Sequence, residues 1–405
     1  MDPINNSCNR NGISEIAKLQ KYKLQQFLND QKAHHLYRAR AIVDSPQGVA
    51  LSIDGKTYLN FCSNDYLGHA SHPKVIEAFI RGASQYGVGS GASHLITGHS
   101  RAHHELEEAL AEFVGRPRAL LFSTGYMANL GVISSLLHKG DHVFEDRLNH
   151  ASLLDGGLLS QARLRRYRHG DSRDLYNKLA TTKAGTQLIA SDGVFSMDGD
   201  LAPVRELAQV AQQHHAWLMI DDAHGLGVLG SRGRGLLEQA GASAQEVPIL
   251  VGTLGKAIGT FGAFVAGDED LIETLIQKGR SYIYTTALPP AVAVATLASL
   301  QLIDAEAWRR DSLRANIRVF RERAAQAGIP LSESETAIQP VILGDVEDTL
   351  RISEALKHEG VLVSAIRPPT VPQGTARLRI TLSAAHTTAH ITRLVEVMHK
   401  CGVGQ

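Results

Sequence analysis

The sequence predicts an α/β fold in which helices cover both faces of a mostly parallel sheet and a smaller α+β unit follows. After Pro73, short apolar runs alternate with segments of helical period, a pattern typical of parallel sheets. The chain has 405 residues, more than one core usually holds, so two domains are expected. Its composition, with 43% hydrophobic and 20% charged residues and no net charge, is that of a soluble globular enzyme.

The N-terminal segment predicts a helix followed by a hairpin. Apolar residues recur at roughly helical spacing from Ile13 to about Ala41, among many Lys and Gln residues, which indicates an amphipathic helix. Two β-like runs, 49–53 and 58–61, flank Asp54-Gly55, a dipeptide typical of tight hairpin turns. We expect residues 1–60 to form this unit and to pack against the C-terminal domain.

The rest of the chain predicts one large and one small domain. The apolar runs that predict the strands of the main sheet are 119–122, 142–145, 187–190, 217–220 and 249–251. Helical pattern dominates from Pro289 to Ala327, and further strand-like runs follow at 341–343, 361–363 and 378–380. We therefore expect a large cofactor-binding α/β domain over residues 61–300 and a small α+β domain over residues 301–405.

Composition and motif spacing disfavour several classes of partner and location. Lys and Arg residues are interspersed with acids and form no basic stripe, which argues against a nucleic-acid partner. Cys8, Cys62 and Cys401 are too few and too scattered for a disulfide framework, which favours a reducing compartment. The first twelve residues are polar, and no apolar run reaches membrane-spanning length. We expect a cytoplasmic protein.

Three familiar motifs are matched only in part. Residues 87–92 fit the letters of a dinucleotide-binding loop, but they follow a helical segment over residues 73–86 instead of a strand. Gly255-Lys256 lacks the first glycine of a phosphate-binding P-loop. His104-Glu105 lacks the second histidine of a zinc-protease motif, and no other histidine spacing suggested ligands, so no metal site is expected.

Polar residues follow several of the predicted strands, at the edge where a doubly wound sheet binds its ligands. After the run 119–122, small residues open a helix, and its first amides, near Gly125 and Tyr126, can hold a phosphate. The other candidates at strand ends or in the loops after them are His150, Ser196, Asp221, His224, Thr253 and Lys256.

Two of these residues suggest a cofactor. Lys256 lies among small residues, where an amine is free to form a Schiff base, and Asp221 ends a strand, where a carboxylate can keep a pyridine nitrogen protonated. Each residue alone has an ordinary explanation: a solvated lysine, a capping aspartate or a turn-forming serine. Their joint occurrence at successive strand ends favours a pyridoxal phosphate enzyme.

Five segments resemble the α-oxoamine synthases, which are fold-type I pyridoxal phosphate enzymes. These segments are NFCSNDYLG at 60–68, GVFSMDGD at 193–200, DDAHG at 221–225, GTLGK at 252–256 and SAAHT at 383–387. The resemblance covers most of the chain and implies the aspartate-aminotransferase-like fold. It also implies an acyltransferase that joins an amino acid to an acyl thioester with loss of carbon dioxide.

The resemblance implies a role for each candidate. Lys256 would anchor pyridoxal 5'-phosphate, Asp221 would pair with its pyridine nitrogen, and His224 would bond its phenolic oxygen. His150 would stack on the ring. Like Lys256, Asp221 and His224 it would be catalytic, and it would also contact the substrate. The further cofactor contacts would be Gly125, Tyr126, Ser196, Thr253, Thr285 and Thr286, and the further substrate contacts Arg38, Asn64, Thr370 and Arg379.

The resemblance also implies a substrate and an assembly. Residues 366–372 and 374–379 are most similar to the members that condense alanine with a pimeloyl thioester, of coenzyme A or a carrier protein, in biotin biosynthesis. Other members use glycine or serine with acetyl, succinyl or palmitoyl thioesters, and an aminotransferase or a non-catalytic module are more distant alternatives. Thr285 and Thr286 resemble a segment that reaches the phosphate in the neighbouring subunit, so a homodimer with shared active sites is implied.

Overall fold

A computed structural model describes residues 10–182 and 185–404 of the chain. The helices are α1 Arg10–Ala33, α2 Pro73–Tyr86, α3 Arg101–Val114, α4 Gly125–Leu136, α5 Ala151–Leu159, α6 Ser172–Ala180, α7 Val204–Gln213, α8 Leu236–Ala240, α9 Glu269–Lys278, α10 Arg280–Ile283, α11 Pro290–Ala305, α12 Trp308–Gln326, α13 Val346–His358 and α14 Thr388–Lys400, with a π-helical turn at His94–Gly98. The strands are β1 Ala50–Ile53, β2 Lys56–Asn60, β3 Arg118–Phe122, β4 His142–Asp146, β5 Arg163–Tyr167, β6 Gln187–Asp192, β7 Trp217–Asp221, β8 Ile249–Thr253, β9 Ala263–Gly267, β10 Ile338–Gly344, β11 Val361–Leu362, β12 Ser364–Ile366 and β13 Ala376–Thr381.

The main sheet has seven strands in the order β3-β9-β8-β7-β6-β4-β5. Strands β4 to β8 are parallel to their neighbours in this group, whereas β9 runs antiparallel to both β8 and β3. The central strands β6, β7 and β8 are buried almost throughout, as strands covered on both faces should be. The predicted α/β fold with a mostly parallel sheet is confirmed.

Two strands of this sheet were absent from the sequence prediction. Strand β5, with the sequence RLRRY, lies at the edge of the sheet, and of its five residues only Tyr167 is buried. Its arginines interrupt the apolar run by which the other strands were predicted. Strand β9, with the sequence AFVAG, is fully buried. It is joined to β8 by the loop that contains Lys256, with no helix between the two strands. That short connection is why β9 is antiparallel.

Two smaller sheets contain the C-terminal strands and the N-terminal hairpin. One has the order β10-β13-β12 with antiparallel pairing, and the other has the order β1-β2-β11. The predicted hairpin forms between β1 and β2, where Asp54 and Gly55 have positive φ of 50° and 72°, as a tight hairpin turn requires. Strand β2 also pairs in parallel with β11, so the hairpin is joined to a C-terminal strand. The division at residues 60 and 300 stays a prediction.

The N-terminal helix is shorter than the apolar spacing indicated. Helix α1 ends at Ala33, and His35 has a left-handed backbone with φ of 57°, after which the chain is extended. Residues 20–30 are exposed, including Tyr22, Leu24 and Phe27. The apolar face of this part of the helix is therefore not covered by the described residues of the same chain.

Helices α2, α3 and α11 pack together. Helix α11 packs against both α2 and α3, and most of its small side chains are buried. Helix α11 approaches α2 so closely that a Cβ atom added to Gly82 of α2 would lie only 2.8 Å from Cα of Ala291 in α11. None of the described helices is by itself long and apolar enough to cross a membrane, although the bent pair α11 and α12, at 71°, reaches the required length and composition together.

Candidate active site

A cavity of about 190 Å³ lies beyond the carboxyl ends of the central strands. Its walls come from loops that are far apart in sequence, as expected where parallel strands end at one edge of a sheet. The residues that line it are Gly125, Tyr126, His150, Ser152, Asp192, Val194, Ser196, Asp221, Ala223, His224, Thr253 and Lys256. All eight of the candidates that sequence analysis placed at strand ends or in the loops after them therefore lie in one cavity.

Lys256 lies in the tight loop between β8 and β9. Backbone hydrogen bonds close this loop, from Gly259 N to Lys256 O at 2.8 Å and from Leu254 N to Gly262 O at 2.9 Å. Burial lowers the pKa of Lys256 to about 8, although the nearby charges of Asp221 and Asp192 act in the opposite direction. A substantial fraction of the amine is thus neutral near neutral pH, the form in which it is a nucleophile and a base.

Asp221 is the last residue of β7, and its carboxylate is buried and held from two sides. Oδ2 accepts a hydrogen bond from Nδ2 of Asn129 at 2.7 Å, and Oδ1 accepts one from Ala223 N at 3.1 Å. Nδ2 of Asn129 also donates to Ser152 Oγ at 2.8 Å. Asn129 therefore orients Asp221 toward the cavity, a function that sequence analysis did not assign to it, although it belongs to the same loop and helix as Gly125.

Asp192 is a second buried acid in the cavity wall. It ends β6 and stands directly opposite Asp221 in the pairing of β6 with β7. Burial raises its pKa well above the usual range, and the charge of Asp221 raises it further. Its Oδ2 accepts a hydrogen bond from His150 N at 2.8 Å. The rule that selected Asp221, a polar residue at a strand end, would have found Asp192 too.

The neighbouring Asp222 does not line the cavity but holds the loop before α8 by a hydrogen bond. It is fully buried, and its Oδ2 accepts a hydrogen bond from Leu236 N at 2.6 Å. A Cβ on Gly235, which has φ of 95°, would lie 1.9 Å from that oxygen, so only glycine fits there. Burial raises the pKa of Asp222 to about 8. Of the Asp221-Asp222 pair, only the first lines the cavity.

His150 and His224 form opposite parts of the wall. His150 precedes α5, and its Nδ1 lies 2.7 Å from Ser152 Oγ. Nδ1 of His224 lies 2.7 Å from the hydroxyl of Tyr66, a buried residue of the segment 60–68. Burial lowers the pKa of both imidazoles, that of His224 well below its usual range. Both rings that line the cavity are therefore neutral near neutral pH.

The N-terminus of α4 supplies donors for an anion. Thr124 caps the helix, because its Oγ1 accepts a hydrogen bond from Met127 N at 3.2 Å. Gly125 and Tyr126 are the first residues of the helix, and a Cβ on Gly125 would meet nothing within 4 Å. A phosphate can thus approach the free backbone N–H groups at this end of the helix.

Arg379 connects the C-terminal sheet to the cavity. Its Nε donates to Ser196 O at 2.6 Å, and both terminal nitrogens lie 3.3 Å from Asn64 Oδ1. Asn64 also accepts from the hydroxyl of Tyr66 at 3.2 Å. The two residues expected to bind a carboxylate are therefore in contact with each other, and Ser196, which Arg379 bonds, lines the cavity.

Besides Asn64 and Arg379, four further predicted residues do not line this cavity. Arg38 is exposed beside Arg367, which donates from Nη2 to Tyr37 O at 2.7 Å. Thr370 is also exposed. Thr285 is partly exposed and Thr286 is exposed, in the segment that follows α10. Their roles as substrate and cofactor contacts stay predictions.

The residues present fit pyridoxal phosphate. A buried amine with a pKa near 8, a fixed carboxylate, a helix N-terminus for the phosphate and neutral imidazoles beside a narrow cavity are the groups that this cofactor needs. The sequence identified most of them because each follows a strand. It missed Asn129, Ser152 and Tyr66 because these act on other side chains, and such contacts appear only in the folded chain.

Comparisons with known proteins agree with pyridoxal phosphate as the cofactor. Residues 56–398 match the model of the family described as aminotransferase class I and II. The chain is 62% identical over 369 residues to the 8-amino-7-oxononanoate synthase of Nitrosococcus oceani, with 91% of this chain and 98% of that one covered. It is 64% identical over 371 residues to the enzyme of the same name from Methylococcus capsulatus, with 92% and 96% covered.

Solved structures give the same result for the fold. A serine palmitoyltransferase from S. paucimobilis with a bound PLP-myriocin aldimine superposes with a TM-score of 0.89 at 32% identity, covering 95% of this chain and 98% of that chain. The 8-amino-7-oxononanoate synthase of Francisella tularensis superposes with a TM-score of 0.74 at 34% identity, covering 85% and 97%.

The pKa of Lys256 predicts how the apoprotein takes up the cofactor. Only the neutral amine attacks the aldehyde, so the rate of capture should rise with pH and level off above about 8, far below the value of an ordinary lysine, about 10.4. Stopped-flow absorbance after mixing with pyridoxal phosphate, from about pH 6 to pH 10, measures this rate. A rate that still climbs steeply above about pH 9 would contradict the assignment.

Proposed function

The chain belongs to the aminotransferase class I and II family and, within it, to the α-oxoamine synthases, and from this membership we propose that it condenses L-alanine with a pimeloyl thioester. The products are 8-amino-7-oxononanoate, carbon dioxide and the free thiol. The observation that carries this function is 58–64% identity over 91–92% of the chain to relatives with that name. The protein is a pyridoxal phosphate-dependent acyltransferase of biotin biosynthesis.

Lys256 has two tasks in this reaction. Its amine would hold the cofactor, and when free it would remove the proton from Cα of alanine. Bound pyridoxal phosphate supplies an electron sink for the carbon that loses this proton. Burial supports the second task, because a pKa of about 8 leaves the amine able both to accept and to return a proton near neutral pH.

Asp221 keeps the pyridine nitrogen of the cofactor protonated by direct pairing, and the bond from Asn129 fixes its direction. His224 would bond the phenolic oxygen, and its contact with the Tyr66 hydroxyl at 2.7 Å holds the imidazole in place. His150 would lie against the ring face. Gly125 and Tyr126 receive the phosphate at the start of α4, and Ser196 and Thr253 complete the cavity wall.

Arg379 and Asn64 receive the carboxylate of alanine. The guanidinium has a planar fork that matches two carboxylate oxygens, and its bond to Ser196 O at 2.6 Å holds it at the cavity. Because the same group must later leave as carbon dioxide, holding the carboxylate in one direction also decides when its bond to Cα can break. Arg38 and Thr370 are further substrate contacts, at exposed positions outside the cavity.

The enzyme works as a homodimer in the cytoplasm, with Thr285 and Thr286 reaching the phosphate in the partner's site. Support comes from their position outside the cavity of their own chain and from exposed apolar side chains. Ile76, Phe79 and Phe261 are each 45–49% exposed around one cavity, an arrangement typical of a subunit contact.

Two substitutions test the roles of Lys256 and Asp221. Lys256→Ala should abolish turnover and the yellow absorbance of the bound cofactor, because no other amine lines the cavity among the described residues. Asp221→Asn should keep the cofactor but lower kcat by roughly a hundredfold or more, because a neutral amide cannot favour the protonated pyridine. Lys139→Ala and Asp270→Asn, at exposed positions, are matched controls. A colourless but fully active Lys256→Ala protein would disprove the scheme.

A panel of amino acids crossed with acyl thioesters tests the substrates. Alanine, glycine and serine are combined with pimeloyl, acetyl, succinyl and palmitoyl thioesters, and thiol release is measured. We expect the fastest release with alanine and the pimeloyl thioester, and carrier-protein and coenzyme A forms of that donor identify the natural one. Fastest release with glycine and the acetyl thioester would overturn the choice, and amino-group transfer without thiol release would indicate an aminotransferase.

Hybrid dimers test whether the active site is shared. Lys256→Ala and Thr286→Glu chains are co-expressed with different tags and the hybrid is purified. If Thr286 acts in the partner's site, one site of the hybrid is native, and it should show about half of the wild-type activity although each parent homodimer is inactive. If Thr286 acts within its own chain, both sites of the hybrid are damaged and no activity returns.

A further inference from the structure

A cluster of histidines lies outside the cavity of Lys256, where the π-helical turn His94–Gly98 leads into α3. The histidine cluster consists of His94, His99, His103, His104 and Glu107. It borders a separate cavity of about 290 Å³, and a shallow second cavity of about 350 Å³ touches His99 and His104 from the surface. None of these residues has a part in the condensation proposed above.

Three members of the cluster face one another with possible ligand atoms. One atom each of His99, His104 and Glu107 lies within 4.8 Å of the other two, and Nε2 of His99 is 3.9 Å from Oε2 of Glu107. His104 and Glu107 are three residues apart on α3 and therefore share one face of the helix. Ligands of a tetrahedral zinc ion, bonded at 2.0–2.1 Å, are about 3.4 Å apart, which small side-chain rotations would reach.

Neighbouring groups hold two of the three ligands in position. Nδ1 of His99 lies 2.9 Å from Nδ1 of His94, which leaves Nε2 of His99 for a metal. Oε1 of Glu107 accepts a hydrogen bond from Leu121 N at 2.9 Å, which leaves Oε2. Outer contacts of this kind orient the ligands in known metal sites. The histidine cluster is thus already arranged as a metal site with its supporting bonds.

His103 is unsuited to be a ligand, because both of its ring nitrogens are used. Nδ1 accepts a hydrogen bond from Ser100 N at 3.0 Å, and Nε2 donates to Leu288 O at 2.7 Å. These bonds cap α3 and join it to the segment before α11. His99, His104 and Glu107 remain as the set. Nε2 of His104 also lies 3.3 Å from Oε1 of Glu108, an exposed contact that a metal ion would have to replace.

The surroundings of Glu107 leave room for a positive charge. Its side chain is only 14% exposed. Arg118 is the nearby positive group, but its Nη1 is paired with Glu273 at 3.3 Å. A bound cation would place a positive charge directly beside the Glu107 carboxylate.

We propose that His99, His104 and Glu107 bind one divalent transition-metal ion, with Zn²⁺ the best match to two imidazoles and a carboxylate. The cavities beside the cluster leave room for water as the remaining ligand. The ion would tie the π-helical turn to α3. Because His94 stacks on Tyr282, with ring centres 5.0 Å apart and an angle of 12°, it would also stabilise the start of the segment that carries Thr285 and Thr286.

Direct titration tests this site. Zn²⁺ is titrated calorimetrically into the untagged holoenzyme, and we expect one saturable site per chain and a higher Tm with the metal bound. His104→Gln and Glu107→Gln should each weaken this binding at least about tenfold, since each removes a ligand. His104 is half exposed, and glutamine at 107 keeps an acceptor for Leu121 N, so both variants should fold.

A surface pair of the same residue types provides the matched control. Nε2 of His358 lies 3.7 Å from Glu354 on α13, at exposed positions without a third ligand, so His358→Gln should bind Zn²⁺ as the wild type does. The His104→Gln protein should keep wild-type condensation activity, because the site is separate from the cofactor cavity. Unchanged Zn²⁺ affinity in both His104→Gln and Glu107→Gln, or no saturable site in the wild type, would overturn the proposal.

Discussion

The amine of Lys256 and the carboxylate of Asp221 line the same buried cavity, where loss of water opposes both charges. Burial brings the pKa of Lys256 down to about 8, while Asp221 and Asp192 keep it from falling further. A more exposed lysine would be protonated at neutral pH and could neither anchor an aldehyde nor remove a proton efficiently. The catalytic properties of the site therefore depend on how closely these groups are enclosed.

The sheet provides that enclosure. Asp192 and Asp221 end neighbouring parallel strands and stand opposite each other, and Lys256 follows the next strand, β8. The reversal of β9 makes the loop that carries Lys256 short and tightly hydrogen-bonded, so the amine is held close to the strand ends. A helical crossover at this point would have placed the lysine at the start of a longer, less constrained connection.

Two networks of polar side chains hold the catalytic residues in place. Asn129 and Ser152 connect Asp221 with the wall that contains His150, while Tyr66 and Asn64 connect His224 with Arg379. The second network joins Arg379 of the C-terminal sheet to His224 of the main-sheet cavity, so the positions of these two side chains depend on each other.

The sequence by itself determined the class of fold and most of the cavity, because buried parallel strands are apolar runs and the residues after them must meet at one edge. It missed β5, where arginines interrupt the apolar pattern, and β9, where a short loop replaces the expected helix. Only the tertiary structure decided that Asp192 joins Asp221, that Asp222 serves a loop, and that Asn129 and Tyr66 orient their neighbours. It also brought His99, which lies between the π-helical turn and α3, beside Glu107 of α3. Such contacts depend on the directions of side chains in space, which periodicity along a chain does not encode.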